Sequence, residues 1–307
     1  MKKSFVMIVV LMFIVGCGSS TPDQNQDTIT IKHSAGESEV VLNPQKVVIF
    51  DIGILDMYQI LDLPVAGVPQ ASLSERFNAY RGSDITNVGT LKEPNYEVLA
   101  EMQPDLIIIS ARAAAEYDEL SIIAPTINLT LDNEHYLDSL NNRLDILKQL
   151  YPDKDEAIES ERSKVMDSVD ALKVKTANMQ DTTLFVMSNG DTLSIYGPGS
   201  RFGFIYDELN FKPLANIEVD ESTHGQQIGF EFIAQHNPQY IIVLDRLQVT
   251  ENNRESAHEL LDNELISITD AYFNNNITYV DPFAWYVEAG GLEATHIMLA
   301  ELDKLIK

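Results

Sequence analysis

The chain has 307 residues, with 47 Asp and Glu against 21 Lys and Arg, and a formal net charge of −26. Such an acidic excess excludes nucleic acid as a partner and a broad basic face on anionic lipid, but not an anionic ligand, because a few Arg gathered in a cleft can oppose the global field. The single cysteine, Cys17, excludes a disulfide within the chain.

Lys2 and Lys3 open the chain, and Phe5 to Val15 is an apolar run too short to span a membrane as a stable helix. The run ends Ile14-Val15-Gly16-Cys17, which resembles the lipobox of bacterial lipoproteins. That resemblance implies a signal peptide over residues 1–16, cut before Cys17, and a lipid on the Cys17 thiol. Gly18 to Asp27 has no apolar side chain, so residues 17–27 read as a flexible tether. The rest suits two domains, and no later segment is long and apolar enough to cross a membrane.

Thr28 to Lys32 alternates as a strand does, and Val40 to Leu42 can pair with it. Val47 to Phe50 and Val65 to Val68 read as buried strands flanking a helix over Ile52 to Leu61, and Asp84 to Gly89 as mostly loop. A helix near residue 96, the strand Leu106 to Ile109, a helix over Ala113 to Leu120, a strand within Ala124 to Leu129 and a helix over Tyr136 to Leu150 complete a first αβ lobe, residues 28–152. Asp153 to Met179 lacks Gly and Pro and repeats apolar residues at Ile158, Val165, Val169, Leu172 and Val174, which predicts one long helix of about 40 Å. Residues 153–180 are thus expected either to bridge two lobes stiffly or to belong to one of them. The second lobe, residues 181–307, holds a predicted hairpin over Thr183 to Tyr196, a helix reaching Leu209, a helix over Ala257 to Leu261, a strand Ile277 to Val280, and a final helix from Gly290-Gly291 to Ile306. The fold class is α/β, two αβ lobes with mostly parallel sheets.

Two stretches of eighteen residues align without a gap, 95–112 and 229–246. Glu97 matches Glu231, Ala100 matches Ala234, Pro104 matches Pro238, Ile107-Ile108 match Ile241-Ile242, and Arg112 matches Arg246. Each predicts a short helix with Glu in its first turn, a Pro stop, a strand buried on both faces, and an Arg at the strand's carboxyl end, where parallel α/β sheets bind ligands. Two common αβ units that resemble each other by chance are the alternative.

The loop Gly197-Pro198-Gly199-Ser200-Arg201-Phe202-Gly203 lacks nucleotide-motif spacing; it is either a backbone anion cradle with Arg201 adding charge, or a tight turn with a solvated Arg. None of the six His forms a metal-spaced pair, and only His224 sits in a polar loop, as a ligand contact or a solvated side chain. Tyr286 follows a strand end, for a ligand or for core packing beside Phe283 and Trp285. No Gly-x-Ser-x-Gly elbow is present. Arg, His and Tyr at strand and loop ends suit the binding of a delocalised anion better than bond breaking.

Together these pieces resemble the substrate-binding lipoproteins of iron-complex ABC importers, the helical-hinge (class III) periplasmic-binding-protein type, in the branch that binds ferric catecholate siderophores. The residues that carry the likeness are Arg112 after Ile-Ile-Ile-Ser-Ala, Gly199-Ser200-Arg201-Phe202-Gly203, Thr223-His224-Gly225, Leu244-Asp245-Arg246, and Asp281-Pro282 with Trp285-Tyr286. The resemblance implies that Arg112, Arg201 and Arg246 hold catecholate oxygens. His224 and Tyr286 would complete the iron shell of a tetradentate complex, and Glu97 and Glu231 would dock on the permease. It implies no enzyme activity and no intrinsic cofactor. The implied partners are a ferric siderophore, an ABC permease dimer with its ATPase, and a membrane through the lipid on Cys17. It also implies a monomer on a Gram-positive surface or the periplasmic face of an inner membrane. Haem or cobalamin as ligand, and a lipid-anchored siderophore esterase, are the alternatives; the three Arg disfavour the first two and the missing elbow the third.

Overall fold

The computed structural model of the chain describes residues 27–215, 225–250 and 256–306. The signal and tether expectations over residues 1–26, including Cys17, and the loop carrying His224 lie outside the described residues.

Thr28–His33 (β1) and Gly36–Val41 (β2) form an antiparallel hairpin. Val47–Ile49 (β3), Gly67–Val68 (β4), Thr86–Asn87 (β5), Leu106–Ile109 (β6) and Thr126–Asn128 (β7) form a parallel sheet in the order β5-β4-β3-β6-β7. Around it stand Ile52–Ile60 (α1), Tyr96–Met102 (α2), Tyr117–Ile123 (α3) and Tyr136–Leu150 (α4). α1 starts where it does because the Asp51 carboxylate accepts the Ile54 N–H at 2.8 Å. The stretch 84–89, expected as loop, supplies the edge strand β5. The helix expected over 113–120 is a 3₁₀ turn, Ala111–Glu116, that runs into α3. The 3₁₀ helix Glu75–Arg81 has no counterpart in the sequence reading.

Asp155–Thr176 (α5) follows a 3₁₀ turn at Pro152–Lys154. Its 22 residues span about 33 Å, shorter than expected because the stretch is α-helical at neither end. Ile158, Val165, Val169 and Leu172 form its buried face as predicted, whereas Val174, two positions past Leu172, points to solvent.

The second sheet uses Thr182–Asn189 (β8), Thr192–Tyr196 (β9), Lys212–Pro213 (β10), Gln226–Ile228 (β11), Tyr240–Asp245 (β12) and Ile277–Tyr279 (β13), in the order β11-β9-β8-β12-β13, with β10 beside the start of β8. β8, β12 and β13 are parallel, and β8, β9 and β11 are antiparallel. Its helices are Phe204–Asp207 (α6), Phe230–His236 (α7), Leu247–Thr250 (α8), Ser256–Leu261 (α9), Glu264–Ser267 (α10) and Asp270–Phe273 (α11). The helix expected to reach Leu209 is the single turn α6. Phe283–Val287 is a π-helical turn, and Leu292–Leu305 (α12) ends the fold.

The internal repeat holds in detail. α2 and α7 each end on a left-handed residue, Gln103 (φ 48°) and Asn237 (φ 42°), whose N–H returns to Leu99 and Ile233. These residues close the helices, one position before the Pro expected to do so. The residue after each Pro then grips the neighbouring strand: Asp105 Oδ2 accepts the Gln45 and Lys46 N–H groups, and Gln239 Oε1 accepts the Thr182 N–H.

β6, and β12 up to Leu244, are apolar because each faces two cores. Leu106, Ile108, Ile242 and Leu244 enter one continuous core that passes from α1 through α4, α5 and α12 to Phe185 and Trp285. Ile107 and Ile109 pack outward under α2 and α3, and Ile241 and Val243 under α7 and α10. One core therefore runs through both lobes. The final helix, although it follows the second sheet, packs on α1 and α5. The Asp56 carboxylate of α1 accepts the Ala294 N–H at 3.0 Å, and Tyr136 Oη lies 2.9 Å from Thr295 Oγ1. A Cβ on Gly291 would fall 2.1 Å from Asp56 Oδ2, so this approach needs glycine. Burial pushes the Asp56 carboxyl up to about 7, against the pull of the Ala294 N–H.

Candidate ligand-binding site

Four half-buried side chains meet between the lobes. Arg112 lies on the 3₁₀ turn after β6, Arg246 directly after β12, and Tyr286 on the π turn after β13. Arg201 comes from the loop after β9, where Ser200 Oγ donates to the Gly197 carbonyl at 2.6 Å and Phe202 stacks on Phe185 at 4.5 Å. Arg112 and Arg201 each donate to the Tyr286 carbonyl, at 2.7 and 2.6 Å, and Arg246 Nε donates to the phenol oxygen at 3.1 Å. The guanidinium carbons lie 4.2 Å (Arg201), 5.7 Å (Arg246) and 5.8 Å (Arg112) from the Tyr286 ring centroid.

The repeat thus places one Arg from each lobe on the same residue. Tyr286, for which core packing was the alternative, does both, packing half-buried against the main core and facing the Arg side chains, whereas Trp285 lies wholly within the core and donates to Glu301. Two volumes, of about 330 Å³ (beside Lys32 and Arg143) and about 540 Å³ (beside His258 and Tyr279), lie elsewhere among the described residues and include none of the four. At the four-residue cluster the guanidinium groups gather on the Tyr286 ring, carbonyl and phenol oxygen.

The electrostatics follow from that packing. Burial, then the charge of Arg112, lowers the proton affinity of the Arg201 guanidinium. Burial also pushes the Tyr286 phenol up, but Arg201 and Arg246 outweigh it and leave the phenol below the ordinary tyrosine value. The shifts resolved for nine other tyrosines, Tyr58 and Tyr196 among them, run upward, chiefly from burial. Tyr286 is therefore expected to ionise ahead of those nine, as a first step in an alkaline titration followed by ultraviolet difference absorbance. Tyr286→Phe should remove that first step. A first step that survives the substitution would show that the three cations do not act on this phenol.

Supports reach the site from behind. Ser110, two residues before Arg112, donates its hydroxyl to the buried Asp51, which also faces Arg143 at 3.4 Å. Arg76, from the 3₁₀ helix between β4 and β5, binds Asp281 at 2.8 Å and Glu288 at 2.9 Å, one on each side of the π turn. Sequence reasoning missed Arg76 and Glu288: neither lies in a repeat or a motif, and 212 positions separate them. Glu97 and Glu231 are exposed in the first turns of α2 and α7, at equivalent places in the two lobes. The Glu231 carboxylate folds back over Gly229, where a Cβ would meet it at 2.7 Å.

Two αβ lobes, one on a parallel sheet and one on a mixed sheet, that share one core and bring Arg and Tyr side chains together between them define a class of two-lobed binding proteins. The chain belongs to the periplasmic binding protein family, whose model matches residues 47–284. It is 34% identical to the petrobactin-binding protein YclQ of Bacillus subtilis, over 97% of this chain and 96% of that one. The YclQ crystal structure matches with a TM-score of 0.86 at 33% identity, over 92% of this chain and 99% of that one. The ferric-anguibactin-binding protein FatB of Vibrio anguillarum is 32% identical over 90% of this chain and 87% of its own. The periplasmic catecholate-siderophore binding protein VctP of Vibrio cholerae matches with a TM-score of 0.84 at 30% identity, over 91% of this chain and 100% of that one. Each of these relatives is a binding protein.

Proposed function

We propose that the chain is an extracytoplasmic receptor that captures a ferric siderophore of catecholate type between its lobes and hands it to an ABC permease for iron uptake. The convergence of Arg112, Arg201 and Arg246 on Tyr286 carries this reading. A tris-catecholate iron(III) complex has three negative charges, which three guanidinium groups oppose, and planar guanidinium also stacks on catechol rings, as Lys cannot. The names of the relatives support the ligand class. Tyr286 would supply a phenolate oxygen to iron(III) when the siderophore brings only four donors, with His224 as a second donor. A lipid on Cys17 would hold the protein at the membrane, and Glu97 and Glu231 would meet cationic pockets on the permease dimer, whose ATPase drives uptake. The protein acts as a monomer with no resident cofactor.

Trp285 is the only tryptophan and neighbours Tyr286 in the chain. Titration with ferric catecholates, one hexadentate and one tetradentate, is expected to quench its fluorescence saturably, by energy transfer to the coloured complex. An uncharged ferric hydroxamate should leave it unchanged. A flat response to both catecholates would reject the ligand class. Glu97→Ala/Glu231→Ala should bind normally and support little cellular uptake; normal uptake would remove the docking role.

A further inference from the structure

We propose that Arg76, which stands outside the anion-binding set and comes from the first lobe, is a positioning residue that holds Tyr286 in register with the three site Arg. The inference rests on the ferric-catecholate reading for its ligand but not for its geometry. Tyr286 sits on a π-helical turn, Phe283–Val287, a rare form closed here by the Glu288 N–H on the Phe283 carbonyl at 2.9 Å. Both ends of that turn are held by one guanidinium. Arg76 donates to Asp281, which caps the turn by accepting the Phe283 and Ala284 N–H groups at 2.9 Å. It also donates, through Nε and its second terminal nitrogen, to Glu288, just past the turn. Glu288 is 1% exposed, and Arg76 is the cation paired with it. A planar fork that spans two carboxylates fixes the segment between them in a way a single ion pair cannot. The pairing also crosses between lobes: Arg76 leaves the first sheet between β4 and β5, and the turn leaves the second sheet after β13. The position of the phenol over Arg201 and Arg246 is thus set partly by the opposite lobe.

The test compares Arg76→Ala and Arg76→Lys with the unaltered protein in three measurements: thermal melting, the alkaline titration of the first phenol, and affinity for a tetradentate and a hexadentate ferric catecholate by Trp285 fluorescence. Arg76→Ala is expected to move the first phenol ionisation toward that of the other tyrosines. It should weaken the tetradentate complex about tenfold and the hexadentate complex less, because only the former needs the Tyr286 oxygen. Arg76→Lys should restore the melting temperature in part without restoring the phenol ionisation, since it returns the charge without the fork. A folded Arg76→Ala with unchanged phenol ionisation and an equal loss for both ligands would overturn the positioning role. If Arg76→Ala does not fold, an unchanged phenol ionisation in Arg76→Lys overturns it equally. If the unaltered protein binds neither complex, the ligand reading fails, and the phenol titration still decides the role of Arg76.

Discussion

Arg201→Ala is expected to weaken ferric-catecholate binding by about 2–3 kcal/mol while leaving the ligand-free protein at least as stable as before. The two effects have one cause. In the free protein Arg201 is half-buried 4.2 Å from the Tyr286 ring, with Arg112 donating to the same carbonyl, so two like charges share one acceptor. Burial and Arg112 both disfavour its charge. Removing it leaves the Tyr286 carbonyl bonded to Arg112 and the phenol bonded to Arg246, so no buried group loses its partner. An anionic complex, by contrast, loses a charge-assisted contact. Fluorescence titration and chemical denaturation of the same preparations separate the two. A stability loss as large as the affinity loss would mean that Arg201 is structural. Arg201→Lys should recover only part of the affinity, because an ammonium group cannot stack on an aromatic ring with a guanidinium's face.

Arg143→Met is expected to lower stability by about 3–5 kcal/mol, the usual consequence of stranding one member of a buried pair. Arg143 is 1% exposed, donates twice to the Leu129 carbonyl at 3.0 and 2.7 Å and once to Gly290 at 3.1 Å, and faces Asp51 at 3.4 Å. Asp51, 5% exposed, would keep only the Ile54 N–H and the Ser110 hydroxyl. Adding Asp51→Asn should recover a good part of the loss, since an amide has no charge to strand. Urea unfolding of both variants reads this directly. A single-variant loss under about 1 kcal/mol would show that the Asp51 charge does not depend on Arg143.

The parts of this molecule that were legible in the sequence are those that local chemistry repeats. Leu106 to Ile109 and Ile241 to Leu244 are apolar because each faces two cores, and an Arg just beyond such a run at a strand end stands out. The neighbours of Arg201 and Tyr286, a Gly-rich turn and an Asp-Pro strand exit, left each open between a ligand contact and a structural role, and the family resemblance singled them out. The convergence of all three Arg on one tyrosine was not, because hydrogen bonds to the Tyr286 carbonyl depend on tertiary placement and leave no trace in side-chain spacing. The same holds for Arg76, whose partners lie 205 and 212 positions away. Short elements such as β5 and β10 escaped because two residues carry no period, and the helix expected to reach Leu209 shrank to the single turn α6. The ends of α5 escaped because Pro152 and Ala177 tighten or release the helix without a change in composition.

The return of α12 to α1 and α5 sets the order in which the molecule can be completed. A nascent chain that has emerged as far as residue 280 contains every strand of both sheets, yet its first lobe is unfinished. Asp56 and Tyr136 find hydrogen-bond partners in Gly290, Ala294 and Thr295, made 154 to 238 positions later. The lobe translated first is therefore sealed last. Until the C-terminal helix arrives, α1 and α5 leave apolar faces uncovered, the condition under which a growing chain depends on chaperones. A deletion near the C-terminus would strike the N-terminal lobe.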